Sequence, residues 1–302
     1  MHTFKSWVLA ARLRTLPLSL SGIIAGTAFA QLRDQFDWTI FILALLTTIG
    51  FQITSNFAND YGDGVKGTDA EGRVGPKRAL QEGLLSKKQL LRGVWVTAIL
   101  SLLCAIVLLY KAFFGSNNAL FWVFIFLGLF SIWAAIRYTM GDNPYGYQGL
   151  GDLFVFLFFG LLAVMGTSLL YTKLLHLQTI PLAICFGFLC VGVLNLNNLR
   201  DHVSDEKHGK RTMVVKLGFE KGKQYHLLLI LGSFLSLLVF VWAESFPVKS
   251  IFFLVAYVPI FIHLTKTLRT KEPQKLDPEL KKLALSTFLL AVLLQISVNY
   301  FL

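Results

Sequence analysis

The chain has 302 residues, 55% of them hydrophobic and only 15% charged, with a mean hydropathy of +0.63. That balance excludes a soluble globular domain and reads as a polytopic membrane protein. The formal net charge of +11 would suit a nucleic-acid partner, but the basic residues are sorted by loop rather than gathered on one face, so nucleic acid is excluded as a partner.

Nine apolar segments follow one another, near 15–32, 38–56, 94–114, 118–136, 153–171, 179–196, 225–243, 250–265 and 283–301. Each is roughly 16–21 residues, about what a helix needs to cross the hydrocarbon core. Period-2 alternation is absent, so the spans are helices rather than barrel strands. The fold class is therefore all-α: a polytopic bundle of nine transmembrane helices in the lipid bilayer, with residues 1–302 as one domain. The first segment has a basic start and "AFA" before Gln31, as a cleaved signal peptide does. However, Arg12 and Arg14 lie far into it, and its removal would leave eight spans, so it is read as a retained first span. Cys104, Cys185 and Cys190 all fall inside spans as small core residues. The six histidines have no metal-ligand spacing and are expected mostly at the membrane interface.

With a cytoplasmic N-terminus, 24 of the 28 Lys and Arg residues fall on the cytoplasmic side. Only Arg33, Lys111, Lys173 and Lys249 fall on the other. By the positive-inside rule the chain is N-in and, with nine spans, C-out.

Two polar stretches stand out at cytoplasmic span ends. After the second span comes "SNFANDYGDGVKGTD", in which Asn56, Asp60 and Asp63 are spaced i, i+4, i+7. After the sixth comes "NLNNLRDHVSDEKHGKRT", in which Asn198, Asp201 and Asp205 are spaced i, i+3, i+7. On helices each set shares one face. Asp60 and Asp201 are 141 residues apart, Asp63 and Asp205 142, and each set is trailed by a basic pair, Lys77–Arg78 or Lys210–Arg211. This pattern suggests an internally duplicated helix–loop unit. Carboxylates crowded together repel one another, and a divalent cation removes the repulsion. Mg²⁺ takes carboxylate oxygens and completes its shell with phosphate oxygens. Asp60, Asp63, Asp201 and Asp205 are thus the candidate catalytic metal ligands, with Asp69 a fifth. Asn56, Asn59, Lys66, Lys77, Arg78, Asn198, Lys210 and Arg211 are candidates for holding a diphosphate. A diphosphate at the mouth of an apolar bundle implies a prenyl diphosphate. Its departing group would be stabilised by metal and cations, and its allylic cation would be shielded from water.

At these residues the sequence resembles the UbiA superfamily of intramembrane aromatic prenyltransferases over nearly its whole length. "NDYGDGVKGTD" is similar to the first family motif and "NNLRDHVSDEKHGKRT" to the second. The MenA-type branch, the 1,4-dihydroxy-2-naphthoate polyprenyltransferases, is resembled most. "ARLRTLPLSLSGIIAGTAFA", "SNFANDYGDGVKGTDAEGRVGPKRALQEG" and "YTMGDNPYGYQGLGD" carry that likeness. The superfamily pattern N-D-x-x-D-x-x-x-D would put its third aspartate at Gly67, whereas here Asp69 stands two positions later, as in that branch. The resemblance implies Mg²⁺-dependent transfer of a polyprenyl group from polyprenyl diphosphate to 1,4-dihydroxy-2-naphthoate, with loss of CO2 and diphosphate, to give demethylmenaquinone. It also implies a bacterial inner membrane. Arg137, Tyr138, Tyr145 and Tyr147, at the cytoplasmic end of spans four and five, are the candidates for the aromatic acceptor, and Arg12 and Arg14 are the second place to seek it.

Two alternatives stay open at this point. One is a sister prenyltransferase acting on 4-hydroxybenzoate, homogentisate or a porphyrin; "PYGYQGLGD" argues against it. The other is a secondary transporter, disfavoured because the carboxylates lie at span ends and not at mid-membrane.

Overall fold

In a computed structural model, residues 2–67 and 78–302 are described. Among the described residues there is no strand, and nine helices are long and apolar enough to span a membrane. We number them α1 (Phe4–Gln31), α2 (Trp38–Lys66), α3 (Lys87–Phe113), α4 (Asn118–Arg137), α5 (Gly151–Thr172), α6 (Thr179–Lys207), α7 (Phe219–Ala243), α8 (Val248–Arg269) and α9 (Pro273–Phe301). The ends are set by local chemistry. The Asp37 carboxylate accepts from the Thr39 and Ile40 N–H groups to start α2, and Ser86 and Gln89 form a capping box at α3. Gly67, at φ 71°, closes α2 with its N–H on the Asp63 carbonyl.

Neighbouring helices pair around a ring: α1 with α2, α2 with α3, α3 with α4, α5 with α6, α6 with α7, α8 with α9, and α9 back onto α1. In lipid no hydrophobic force drives helices together, so small residues that allow close backbone approach matter most. A Cβ on Gly160 of α5 would stand 2.6 Å from the Gly187 Cα of α6, and one on Gly26 of α1 would stand 2.4 Å from the Val164 carbonyl of α5. The middle of α5, Phe156–Gly166, is wound as a π-helix. α4 buries little of its surface.

Two helices outrun their expected spans at the end that carries a polar motif. α2 and α6 each run 29 residues, about 43 Å at 1.5 Å per residue, which exceeds the roughly 30 Å hydrocarbon core. The described part of the first motif up to Lys66, and the second motif up to Lys207, are therefore helical extensions and not loops. No proline interrupts either extension, Gly62 and Gly64 keep helical φ, and the helices stop by Gly67 and Gly209, both at positive φ. The end of the bundle at which α2 and α6 finish is called here the motif end.

α1 departs from a straight span. It breaks at Arg12, a left-handed residue (φ 48°, ψ 54°), and resumes at Leu16. The histidines also depart in part. His226 and His263 are buried, 3.0 Å apart at their Nε2 atoms, and His263 Nδ1 lies 2.9 Å from Glu279 Oε2. The two rings, from α7 and α8, pair with each other, and His263 pairs with a carboxylate of α9, which is how such groups are carried inside a membrane bundle.

Candidate functional site

One large cavity, about 740 Å³, opens at the motif end and runs between α1, α2, α3, α4, α5, α6 and the start of α9. Its depth is apolar, with Leu108, Leu109, Phe124, Phe158, Leu162 and Leu170 among the lining. Polar groups gather at its mouth: Asn59, Asp63, Arg78, Asn198, Asp201, Asp205 and Lys210 all line it.

At the motif end of α2 the cavity is lined by Ser55, Asn59 and Asp63, spaced i, i+4, i+8, which continue a strip that includes Thr48, Phe51 and Gln52. Asn56, Asp60 and Asp63 share one buried face, as their spacing implies, but of the three only Asp63 lines the cavity. Asp60 is buried and off the cavity lining, its Oδ2 accepting from the Ala79 N–H at 3.1 Å. Asn56 is buried too. Its amide donates to the Ala11 carbonyl at 2.8 Å and to the Thr15 hydroxyl at 3.1 Å. The break at Arg12 leaves carbonyls at the end of a helical segment without intrahelical partners. Asn56 satisfies one of them and so braces the turn that brings Arg12 and Arg14 to the cavity wall. On α6, Asn198, Asp201 and Asp205 share the cavity face as their spacing implies.

Cations from the chain hold these carboxylates. Asp63 receives Arg78 Nη1 at 2.5 Å on Oδ2, and the Tyr147 hydroxyl at 2.5 Å and Lys210 Nζ at 3.4 Å on Oδ1. Lys210 also reaches Asp205 at 3.9 Å. Arg200, which the sequence reading passed over, forks onto Asp201 through Nε at 2.8 Å and Nη2 at 2.6 Å. Its Nη1 meets Asp277 at the start of α9, at 2.6 Å. Arg78 also donates to the Asn59 carbonyl at 2.8 Å, and the Asn59 side-chain oxygen accepts from Thr139 at 3.2 Å. Among the described residues, no three His, Cys, Asp or Glu side chains gather as a closed metal cage. The donor set nonetheless fits Mg²⁺, a hard ion that binds through one or two carboxylates and keeps room for phosphate oxygens and water. Asp63, Asp201 and Asp205, with the amide oxygens of Asn59 and Asn198, supply only oxygen donors to one cavity mouth.

Some candidates lie elsewhere. Asp69 and Lys77 fall outside the described residues. Lys66 and Arg211 line a separate, smaller pocket at the same end. Arg137 does not line the cavity. Its guanidinium packs on Gly141, where a Cβ would stand 2.0 Å from Nη1. Arg12 and Arg14 do line the cavity. Tyr138, Tyr145 and Tyr147 do line the cavity. Tyr145 donates to the Ala134 carbonyl at 2.8 Å and stacks on Phe154 at 4.0 Å between ring centroids. Burial pushes the Tyr138 and Tyr145 phenols up, so both stay protonated at neutral pH.

Residues 19–291 match the model of the UbiA prenyltransferase family. The chain belongs to that family. It is 40% identical to a 1,4-dihydroxy-2-naphthoate octaprenyltransferase of Haemophilus influenzae, over 96% of this chain and 94% of that protein. An Escherichia coli protein of the same name is also 40% identical, with the same coverage. Among solved structures, a UbiA homologue from Archaeoglobus fulgidus, bound to GPP and Mg²⁺, superposes with a TM-score of 0.72 over 97% of this chain and 99% of that one, at 16% identity. At that identity the likeness concerns the fold alone. The chain is thus a multi-pass membrane prenyltransferase of the UbiA family.

Proposed function

We propose that this UbiA-family enzyme transfers a polyprenyl group from polyprenyl diphosphate to 1,4-dihydroxy-2-naphthoate in a Mg²⁺-dependent reaction. Diphosphate and CO2 are released, and demethylmenaquinone leaves as its hydroquinone. The observation that carries the reading is the single cavity whose mouth gathers Asp63, Asp201, Asp205, Arg78 and Lys210 while its depth is apolar. That polarity matches a lipid diphosphate, headgroup outward and prenyl chain inward. The identity of the acceptor is supported by the two relatives at 40% identity.

Mg²⁺, held by Asp63, Asp201 and Asp205, would supply positive charge to the departing diphosphate. Arg78 and Lys210 pair with the diphosphate oxygens that the metal leaves. Phe158, Phe159 and Leu162 keep water from the allylic cation once the C–O bond opens. The ring carbon bearing the carboxylate attacks that cation. The C–C bond to the carboxylate then breaks as CO2, returning its electron pair to the ring. Arg12 and Arg14 pair with the acceptor carboxylate, while the protonated Tyr138 and Tyr145 wall the ring. The loop split of 24 to 4 in Lys and Arg and the bacterial relatives support a bacterial inner-membrane location, with the motif end and N-terminus cytoplasmic and the C-terminus external.

The test is to incubate membranes containing the protein with radiolabelled prenyl diphosphate, Mg²⁺ and a panel of aromatic acceptors. Label is expected on the naphthoate. Label on 4-hydroxybenzoate or homogentisate in its place would overturn the acceptor assignment.

A further inference from the structure

Beside the main cavity, at the motif end, lies a second pocket of about 490 Å³. Lys66, Arg211 and Lys216 line it against one carboxylate, Asp142. Its walls are built, not incidental. The Arg211 N–H donates to the Tyr147 carbonyl at 2.8 Å, and Lys216 Nζ donates to the Gln148 carbonyl at 2.8 Å. These ties bring residues 209–216 against the 145–149 turn. The approach is close enough that a Cβ on Gly149, at φ 83°, would stand 2.6 Å from both the Arg211 carbonyl and Lys216 Nζ. Three cations held around one concavity repel one another and raise the local potential for an anion.

Tyr147 is common to both cavities. Its hydroxyl is on Asp63. Lys66, which lines the small pocket, and Lys210, which lines the main cavity, stand 4.7 and 4.8 Å from its ring centroid. A phosphate-bearing group thus has cations on either side of one aromatic partition, a side chain that can swing without breaking backbone contacts.

We propose that the small pocket is a second anion site, taking a diphosphate or phosphate group on Lys66, Arg211 and Lys216, and that Tyr147 separates it from the reaction cavity. The proposal rests on the prenyl-diphosphate reading of the main cavity. The small pocket is where the diphosphate passes on its way out, and it accounts for Lys66 and Arg211 lying off the main lining. Of the three cations, Lys216 is the one with no place in the transfer reaction, and it is exposed, in the last turn of the short helix Met213–Leu217. Lys216→Gln is therefore expected to fold normally and to keep initial-rate turnover unchanged.

The experiment uses the full chain in detergent, with the main cavity filled by a non-hydrolysable prenyl thiodiphosphate and Mg²⁺, and titrates inorganic diphosphate by calorimetry. A residual binding event is expected, weakened about fivefold in Lys216→Gln, the size of one partly screened charge-assisted contact. Lys216→Arg should restore it. No residual binding, or residual binding equal in wild type and Lys216→Gln, would overturn the site. Repeating the titration in phosphatidylcholine and phosphatidylglycerol nanodiscs identifies the source of the anion. Competition by phosphatidylglycerol assigns the pocket to lipid phosphate and no competition assigns it to free diphosphate, and either result supports an anion site. Failure of the thiodiphosphate to bind with Mg²⁺ would count against the proposed function alone. The difference between wild type and Lys216→Gln, read on the unfilled protein, would still decide the pocket.

Discussion

The acceptor side yields the sharpest prediction, because the cavity is lined by Arg12 and Arg14 and not by Arg137, and the proposed function places the acceptor carboxylate on the former. Arg137 sits on Gly141 and off the cavity, whereas Arg12 and Arg14 line it. A charge-assisted contact to a carboxylate contributes roughly 1.5–3 kcal/mol, or about one to two decades of affinity. Arg12 is half-buried, which puts it at the lower end of that range. Arg14 is exposed, and screening reduces its share further. Arg12→Gln should therefore raise KM for the naphthoate about tenfold, and Arg14→Gln about threefold, with KM for prenyl diphosphate little changed. Arg137→Gln should leave both constants within about twofold, since it loses only a loop contact. The assay is steady-state transfer in membranes, each substrate varied in turn, with abundance of each variant measured by immunoblot. A tenfold effect of Arg137→Gln confined to the naphthoate would refute the reassignment. So would an Arg12→Gln effect spread equally over both substrates.

Asp63→Asn, Asp201→Asn and Asp205→Asn should each abolish turnover with membrane abundance near normal; loss of abundance in all three would make the carboxylates structural. Excess chelator should stop transfer and added Mg²⁺ restore it, whereas full turnover in chelator would remove the metal from the scheme. Gly160→Leu drives a side chain into the Gly187 backbone and should destabilise the protein by about 1–3 kcal/mol or more, seen as lower abundance and a lower Tm in detergent; an unchanged Tm would show that α5 and α6 are not so closely packed. A reporter fused after Lys87 should read cytoplasmic and one fused after Leu302 external, and a cytoplasmic reading at Leu302 would mean an even number of crossings.

Much of this was legible in the sequence, for physical reasons. Apolar runs of bilayer length can only be spanning helices, so all nine spans were readable. Asn198, Asp201 and Asp205 were readable as one face because α6 continues as an ideal helix through them. Which side of α2 meets the cavity was not. Asn56, Asp60 and Asp63 share a face, as their spacing says, but Ser55 and Asn59 carry no charge to mark the neighbouring strip that lines the cavity with Asp63, from which Asn56 and Asp60 turn away. Their partners, the Ala11 carbonyl and the Ala79 N–H, are backbone groups, which leave no mark in a sequence. The break at Arg12 was hidden for a related reason: no Gly or Pro announces a left-handed residue there, and the turn is held by tertiary bonds from Asn56. Arg200 was passed over because it stands next to Asp201 in the chain, where adjacent side chains on a helix normally diverge. Here its long side chain folds back to bridge Asp201 and Asp277. Tyr147 was grouped with the acceptor but bonds the first aspartate motif, a contact across 84 residues that spacing cannot reveal.

The measurement that bears most directly on the central claim uses 1,4-dihydroxy-2-naphthoate labelled with ¹⁴C in its carboxyl group, together with unlabelled polyprenyl diphosphate and Mg²⁺. The account predicts one ¹⁴CO2 released for each prenylated ring formed, with both products lost together on omitting Mg²⁺ or in the Asp63→Asn variant. A prenylated product that keeps the ¹⁴C label, or prenyl transfer with the naphthoate omitted, would contradict it.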